Sequence, residues 1–332
     1  MADATTSRER APRAAADGGR FSSHAFVIGS ARSGTTWTQL LLAQHPRIAT
    51  SRETHIFSRY LGQLLASYDA DAKRETRRGV TLHLSRDEML DVCALACERL
   101  MTKIADQIPG SDVLLQKIPD VGGDAALVHA LFPAARFVHV IRDPRAVVAS
   151  LRAGAAGWAK DWAPSGTVRA TELWRKAVST ARTIPQLTPA YLEIRYEALH
   201  TAPVETLTEV HRFLGLETDP ARCEAAFAAC RIEDLRERRS TMRAPWDVNA
   251  HREGFFRRGE RDAWRDELRP RDVRLVESTA WDLMQELGYA PVHARRPRGS
   301  LRVWSHRKAR HVAHQIERVG RGLAGWLDRR SP

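Results

Sequence analysis

Residues 26–37 read Phe-Val-Ile-Gly-Ser-Ala-Arg-Ser-Gly-Thr-Thr-Trp, an apolar run that breaks into small residues and opens into a helix-like stretch. Such a loop can cradle an anion. The first N–H groups of a helix lack intrahelical partners, and the helix dipole adds positive potential there. A nucleotide-hydrolysing P-loop places Lys directly after its second Gly, on the outer phosphates, and then a hydroxyl on Mg²⁺. Here Gly29 and Gly34 keep the P-loop separation, but Thr35 stands in the Lys position and the loop's cation is Arg32. The pattern predicts a phosphate-bearing ligand held without the usual magnesium–nucleotide apparatus, which counts against the rival reading, a P-loop kinase.

Three more basic positions fall in predicted loops, where ligand groups belong. Lys117 follows an apolar run. Arg142 ends another, with Ser150 two turns into the helix after it. Arg257-Arg258-Gly259 lies in an irregular, Arg-rich stretch. One phosphate cradle and a second cationic cluster imply a ligand with two separated anionic groups.

The elements that must carry these residues alternate as in a parallel α/β sheet. Strands are predicted over residues 25–28, 113–116, 136–141 and 191–194. Helices are predicted over 36–44, 85–106, 124–131, 145–151, 167–184, 203–214 and 270–287. Ser85 with Glu88 reads as a capping box at the start of the second helix. Residues 232–269 lose periodicity. Cations that directly follow buried strands lie at the carboxyl edge of the sheet, where open α/β sheets bind ligands. The fold class expected is α/β, a three-layer α/β/α arrangement around a mostly parallel, P-loop-like sheet. It forms one domain over residues 21–291, between a disordered tail at 1–20 and a basic amphipathic extension at 292–332.

The chain has 332 residues and a net charge of +12. Eleven Lys and Arg but only Glu317 and Asp328 fall within residues 292–332, a local excess of +9 that leaves +3 for the rest. The charge therefore belongs to the end of the chain, and nucleic acid is not expected as a partner. Four cysteines make neither a disulfide framework nor a zinc set and read as buried thiols in a reducing cytoplasm. No apolar run approaches the roughly 20 residues of a membrane span. Leu301, Trp304, Val312, Ile316, Val319, Leu323, Trp326 and Leu327 recur at helical spacing amid Arg and His. A basic helix of that kind suits peripheral contact with an anionic membrane, or docking on the protein's own body or a partner subunit.

Taken together, the motifs resemble those of sulfotransferases that use 3′-phosphoadenosine 5′-phosphosulfate (PAPS). Arg32-Ser33-Gly34-Thr35-Thr36-Trp37 is similar to that family's 5′-phosphosulfate loop, and Arg142-Asp143-Pro144-Arg145 through Ser150 to its 3′-phosphate motif. Arg257-Arg258-Gly259, followed by Trp264, resembles the late Arg-Lys-Gly segment, although Asp262 and Ala263 stand where Gly and Asp are usual. Arg195-Tyr196-Glu197 resembles a further recurrent stretch. The resemblance implies that Arg32, Lys117 and the loop amides neutralise charge on the 5′-phosphate, and that Arg142, Ser150 and Arg257 hold the 3′-phosphate. It implies no metal. Trp37 is either an adenine platform or an apolar helix residue.

The resemblance also calls for a general base to accept the acceptor hydroxyl's proton. Ser51-Arg52-Glu53-Thr54-His55-Ile56-Phe57 resembles the stretch in which carbohydrate-type and many bacterial members carry a catalytic Glu. Glu53 is the expected base and His55 its rival. Trp158 and Trp162 either line the acceptor site or belong to the core. The expected activity is sulfuryl transfer from PAPS to a hydroxyl of a carbohydrate, glycolipid or small metabolite. Its non-enzymatic rival is a basic membrane-binding protein.

Overall fold

Strand side chains alternate between two apolar faces, and both faces are covered by helices. In the computed structural model, residues 21–293 are described except 75–77, 119–120, 241, 243 and 245. The expected tail at 1–20 and nearly all of the expected extension at 292–332 lie outside the described residues. Among the described residues, five strands form one sheet: β1 (Ser23–Ile28), β2 (Ile48–Thr50), β3 (Val113–Ile118), β4 (Arg136–Ile141) and β5 (Tyr191–Arg195). Their order is β2-β3-β1-β4-β5 and every pairing is parallel. Phe26, Ile28, Leu114 and Phe137 face one layer, with α2 (Gly62–Ala72), α3 (Arg86–Ala105) and α4 (Val121–Leu131). Ala25, Val27, Leu115, Val138 and Ile194 face the other, with α1 (Thr35–Leu42), α8 (Pro203–Phe213) and α9 (Pro220–Ala229). Parallel strands buried on both sides read as near-continuous apolar runs, and that is their sequence here.

A third cluster joins α5 (Pro144–Ala155), α6 (Thr167–Ala181) and α12 (Pro270–Glu286) around Trp174, which is fully buried. Short helices α7 (Ala198–Thr201), α10 (Ile232–Arg236) and α11 (Trp264–Glu267) complete the α-helices among the described residues, beside a π-helical turn at Ile56–Leu61 and three short 3-10 turns. The predicted capping box is present: the Ser85 side chain accepts from Glu88 N–H, and the Glu88 carboxylate accepts from Ser85 N–H. Such a cap is worth about 1 kcal/mol. The structure adds β2, α2, α7 and α9 to the elements expected from the sequence. Residues 232–269, expected to be irregular, contain α10 and α11. The three residues of β2 and the four or five of α7, α10 and α11 carry too little periodicity to register. The longer α2 and α9 bury only Leu65 and Tyr68, and Cys223 and Ala226, too narrow an apolar stripe to read.

All four cysteines are free and buried. No helix among the described residues is long and apolar enough to cross a membrane.

Candidate active site

The parallel register brings the chemically interesting residues to one edge. Thr50 of β2 pairs with Leu115 of β3, so Glu53, just past β2, and Lys117, near the end of β3, come to the same edge. Ile141 of β4 pairs with Arg195 of β5, so Arg142 and Tyr196 do the same on the other side of β1. Between them, β1 delivers the loop 29–34 to the N-terminus of α1.

That loop is folded under backbone constraint. Arg32 adopts φ 70° and Gly34 φ 91°. A Cβ on Gly34 would collide with the ring of Tyr196, so glycine serves here both the left-handed conformation and the close approach. No side chain caps α1, and its first N–H groups remain open to a ligand. Arg142 is set from behind, because Trp174 Nε1 donates to its carbonyl at 3.0 Å. Asp143 caps α5 by accepting from Arg145 N–H at 2.8 Å, with Pro144 in the first turn.

Arg32, Gly34, Thr35, Thr36, Trp37, Arg142, Ser150, Tyr196, Arg257, Arg258 and Gly259 line one cleft of about 710 Å³, the solvent at its mouth included. Arg32 Nε donates to Ser150 Oγ at 3.0 Å and its Nη2 to the carbonyl of Phe255 at 2.6 Å. Its guanidinium lies 5.2 Å from the ring of Trp158 and 5.0 Å from that of Phe255. Burial, then the like charges of Arg142 and Arg257, pull Arg32 down to about 10, so it stays cationic at neutral pH. Arg142 stacks over Tyr196 at 3.9 Å and donates to the carbonyls of Arg32 and Glu260, both at 3.3 Å. Its Nε is buried without a hydrogen-bond partner among the described residues. Tyr196 donates its hydroxyl to the carbonyl of Gly259 at 2.6 Å.

Glu53 and Lys117 stand beside this lining. Lys117 Nζ donates to Thr36 Oγ1 at 3.0 Å and forms an ion pair with Glu53. His55 Nε2 lies 3.4 Å from the same carboxylate. Ser33 is buried behind the loop, with its hydroxyl unpartnered among the described residues. Trp37 combines features of both readings offered for it. It is 3% exposed and donates its indole N–H to the carbonyl of Cys230 at 2.7 Å, yet it also lines the cleft. Trp158 packs on Arg32 and Phe255, whereas Trp162 is half exposed at 51%.

Four participants escaped the sequence reading. Phe255, Glu260 and Glu267 line the cleft, and His251 stacks on Phe255 at 4.5 Å. Burial, then the nearby charges of Arg52 and Lys117, pull His251 down to about 4. The usable signal was adjacency, since residues 251–256 run directly into Arg257.

The profile of the sulfotransferase family matches residues 25–220. Protein-tyrosine sulfotransferase 1 of Danio rerio is 27% identical over 202 residues, covering 59% of this chain and 54% of that protein. The chain thus spans about half the length of that curated relative. Among solved structures, the sulfotransferase domain from the curacin biosynthetic pathway superposes with a TM-score of 0.52 at 17% identity, covering 81% of this chain and 98% of that one. Mouse sulfotransferase SULT7A1 complexed with PAP gives 0.52 at 14% identity, covering 81% and 89%. These likenesses agree in fold with the parallel sheet described above.

Proposed function

The chain belongs to the sulfotransferase family, and on that premise we propose that it moves a sulfuryl group from PAPS to an acceptor hydroxyl. The observation that carries this reading is the pairing of a cleft rich in arginine with an acid–base pair bridged to it through Thr36. The α1 N-terminus and Lys117 would receive the 5′-phosphosulfate. Arg142, Ser150 and Arg257 would receive the ribose 3′-phosphate, where forked guanidinium hydrogen bonds suit phosphate oxygens. Because Arg32 already donates to Ser150, it would stand between the two phosphates and serve both.

In the transfer, the bond between sulfur and the bridging phosphate oxygen breaks as the acceptor oxygen bonds to sulfur. Glu53 takes the acceptor's proton, and adenosine 3′,5′-bisphosphate leaves. Lys117 changes partner during this step, from the Glu53 carboxylate to the oxygen on which charge develops. His55 is the alternative base, 3.4 Å from Glu53. The acceptor is a hydroxyl of a carbohydrate, glycolipid or small metabolite. The aromatic wall of Trp158, Trp162 and Phe255 supports an acceptor with a ring to lay against it. Peripheral membrane contact through residues 292–332 belongs to the same proposal. Unchanged sedimentation with anionic vesicles after removal of residues from Arg295 onward would refute it.

The deciding experiment incubates the protein with ³⁵S-labelled PAPS and lipid, polysaccharide and tyrosine-peptide acceptors. Label transfer and metal-independent binding of adenosine 3′,5′-bisphosphate are expected. Magnesium-dependent ATP binding in their place would revive the kinase reading.

A further inference from the structure

The irregular segment that carries Arg257 has little of its own to hold that side chain. Residues 252–262 contain neither helix nor strand. Among the described residues, Arg257 makes one side-chain hydrogen bond: its Nη2 donates to Glu267 Oε1 at 2.6 Å in a partly buried ion pair. Among the described residues, no hydrogen bond engages Arg257 Nε or Nη1.

Glu267 stands on firmer ground. It ends α11, whose Trp264 is 2% exposed and has the guanidinium groups of Arg145, at 4.2 Å, and Arg265, at 4.5 Å, over its ring. Arg145 is itself fixed by Asp143 at 2.7 Å, Glu277 at 2.8 Å and the carbonyl of Ala290 at 3.0 Å. A lattice of charges and rings anchored on buried Arg145 and Trp264 therefore ends in one carboxylate that pairs with a cleft arginine. A carboxylate in a site for anions is costly by itself, because it repels the ligand. Glu267 gains a use only if the orientation it imposes on Arg257 outweighs that repulsion.

We propose that Glu267 is a positioning residue for the donor's 3′-phosphate: it holds Arg257 by one nitrogen and leaves the guanidinium's other N–H groups aimed into the cleft. It also offsets the crowding of Arg257 with Arg32 while the cleft is empty. This rests on the donor reading above, with Arg257 as a 3′-phosphate ligand.

The test compares binding of adenosine 3′,5′-bisphosphate and adenosine 5′-monophosphate to the full chain by calorimetry, in wild type, Arg257→Ala, Glu267→Ala and Glu267→Gln. Wild type should prefer the bisphosphate, and Arg257→Ala should lose most of that preference. If wild type shows no preference, the donor reading fails. With that reading intact, Glu267→Ala should weaken the bisphosphate roughly tenfold, the loss of one charge-assisted contact, and leave the monophosphate unchanged. Glu267→Gln, which keeps the accepting oxygen, should restore most of the loss. Tighter bisphosphate binding by Glu267→Ala would mean that repulsion dominates. Equal weakening of both nucleotides would mean a merely structural role. Either result overturns the inference.

Discussion

The two sides of the loop after β1 are built differently. On one side, Glu53 and Lys117 meet as a matched acid and base, with side chains 28% and 13% exposed. On the other, Arg32, Arg142, Arg257 and Arg258 share a cleft with Glu260 and Glu267, and Arg32 and Arg142 are held by carbonyls, a hydroxyl and aromatic faces. Cations supported by neutral groups keep their charge for an incoming anion. A matched pair has partners to exchange during a reaction. On the reading proposed above, the difference separates Glu53, which would serve only the chemistry, from Arg142 and Arg257, which would serve only affinity, while Arg32 and Lys117 would serve both.

Removing the chemistry should have the largest effect. Glu53→Ala is expected to lower kcat by about 10²–10⁴-fold, the usual worth of a general base, while binding of adenosine 3′,5′-bisphosphate changes little. Single-turnover transfer and calorimetry together read both quantities. A near-normal rate would move the base elsewhere, with His55 the next residue to substitute.

Removing the affinity comes next. Arg142→Ala deletes a guanidinium that rests on Tyr196 and keeps a buried Nε free of partners among the described residues. Loss of a charged hydrogen bond, about 1.5–3 kcal/mol, predicts roughly 10- to 100-fold weaker bisphosphate binding. At saturating donor the transfer rate should be far less affected. An equal fall in kcat would erase the separation between the two sets.

A smaller effect tests how the cleft's two walls are tied. Tyr196→Phe keeps the ring under Arg142 and removes only the hydroxyl bonded to Gly259. Gly259 has φ 70°, and a Cβ there would strike Ile232, so the irregular strap that carries it, residues 252–262, is already seated closely. One neutral hydrogen bond, about 1 kcal/mol, predicts about fivefold weaker bisphosphate binding. Unchanged binding would show that the strap needs no tie to β5.

The same contrast governs what could be read from the sequence. Arg32 through Trp37, Arg142 through Ser150 and Lys117 were legible because each sits on or directly after a strand or in the first turns of the helix that follows. There, short-range patterning and parallel register decide position. Glu267 and Phe255 were not. Their places follow from long-range contacts, Trp264 on Arg145 and the Phe255 carbonyl on Arg32, which no local period encodes. Trp37 resisted a decision because it packs against Phe227 and Cys230 while lining the cleft, so the two readings were never exclusive.

Two buried histidines give the finest probe of the comparison. Burial pulls both His200 and His211 down to about 4. Each favours its neutral form in the fold, so its contribution to stability is complete above the unfolded value of 6.5 and is lost as pH falls toward 4. The secondary causes differ. His200 feels Arg142, and its ring lies 4.7 Å from that of Trp37, whereas His211 feels His45 and Arg222, away from the cleft lining. An anion that neutralises Arg142 removes one of the causes depressing His200 and leaves those acting on His211 untouched. Bisphosphate should therefore raise the titration midpoint of His200 and leave that of His211 where it was, as read from ring resonances across pH 4–7. If both move together, the nucleotide acts through the whole fold; if neither moves, its phosphates do not settle on Arg142.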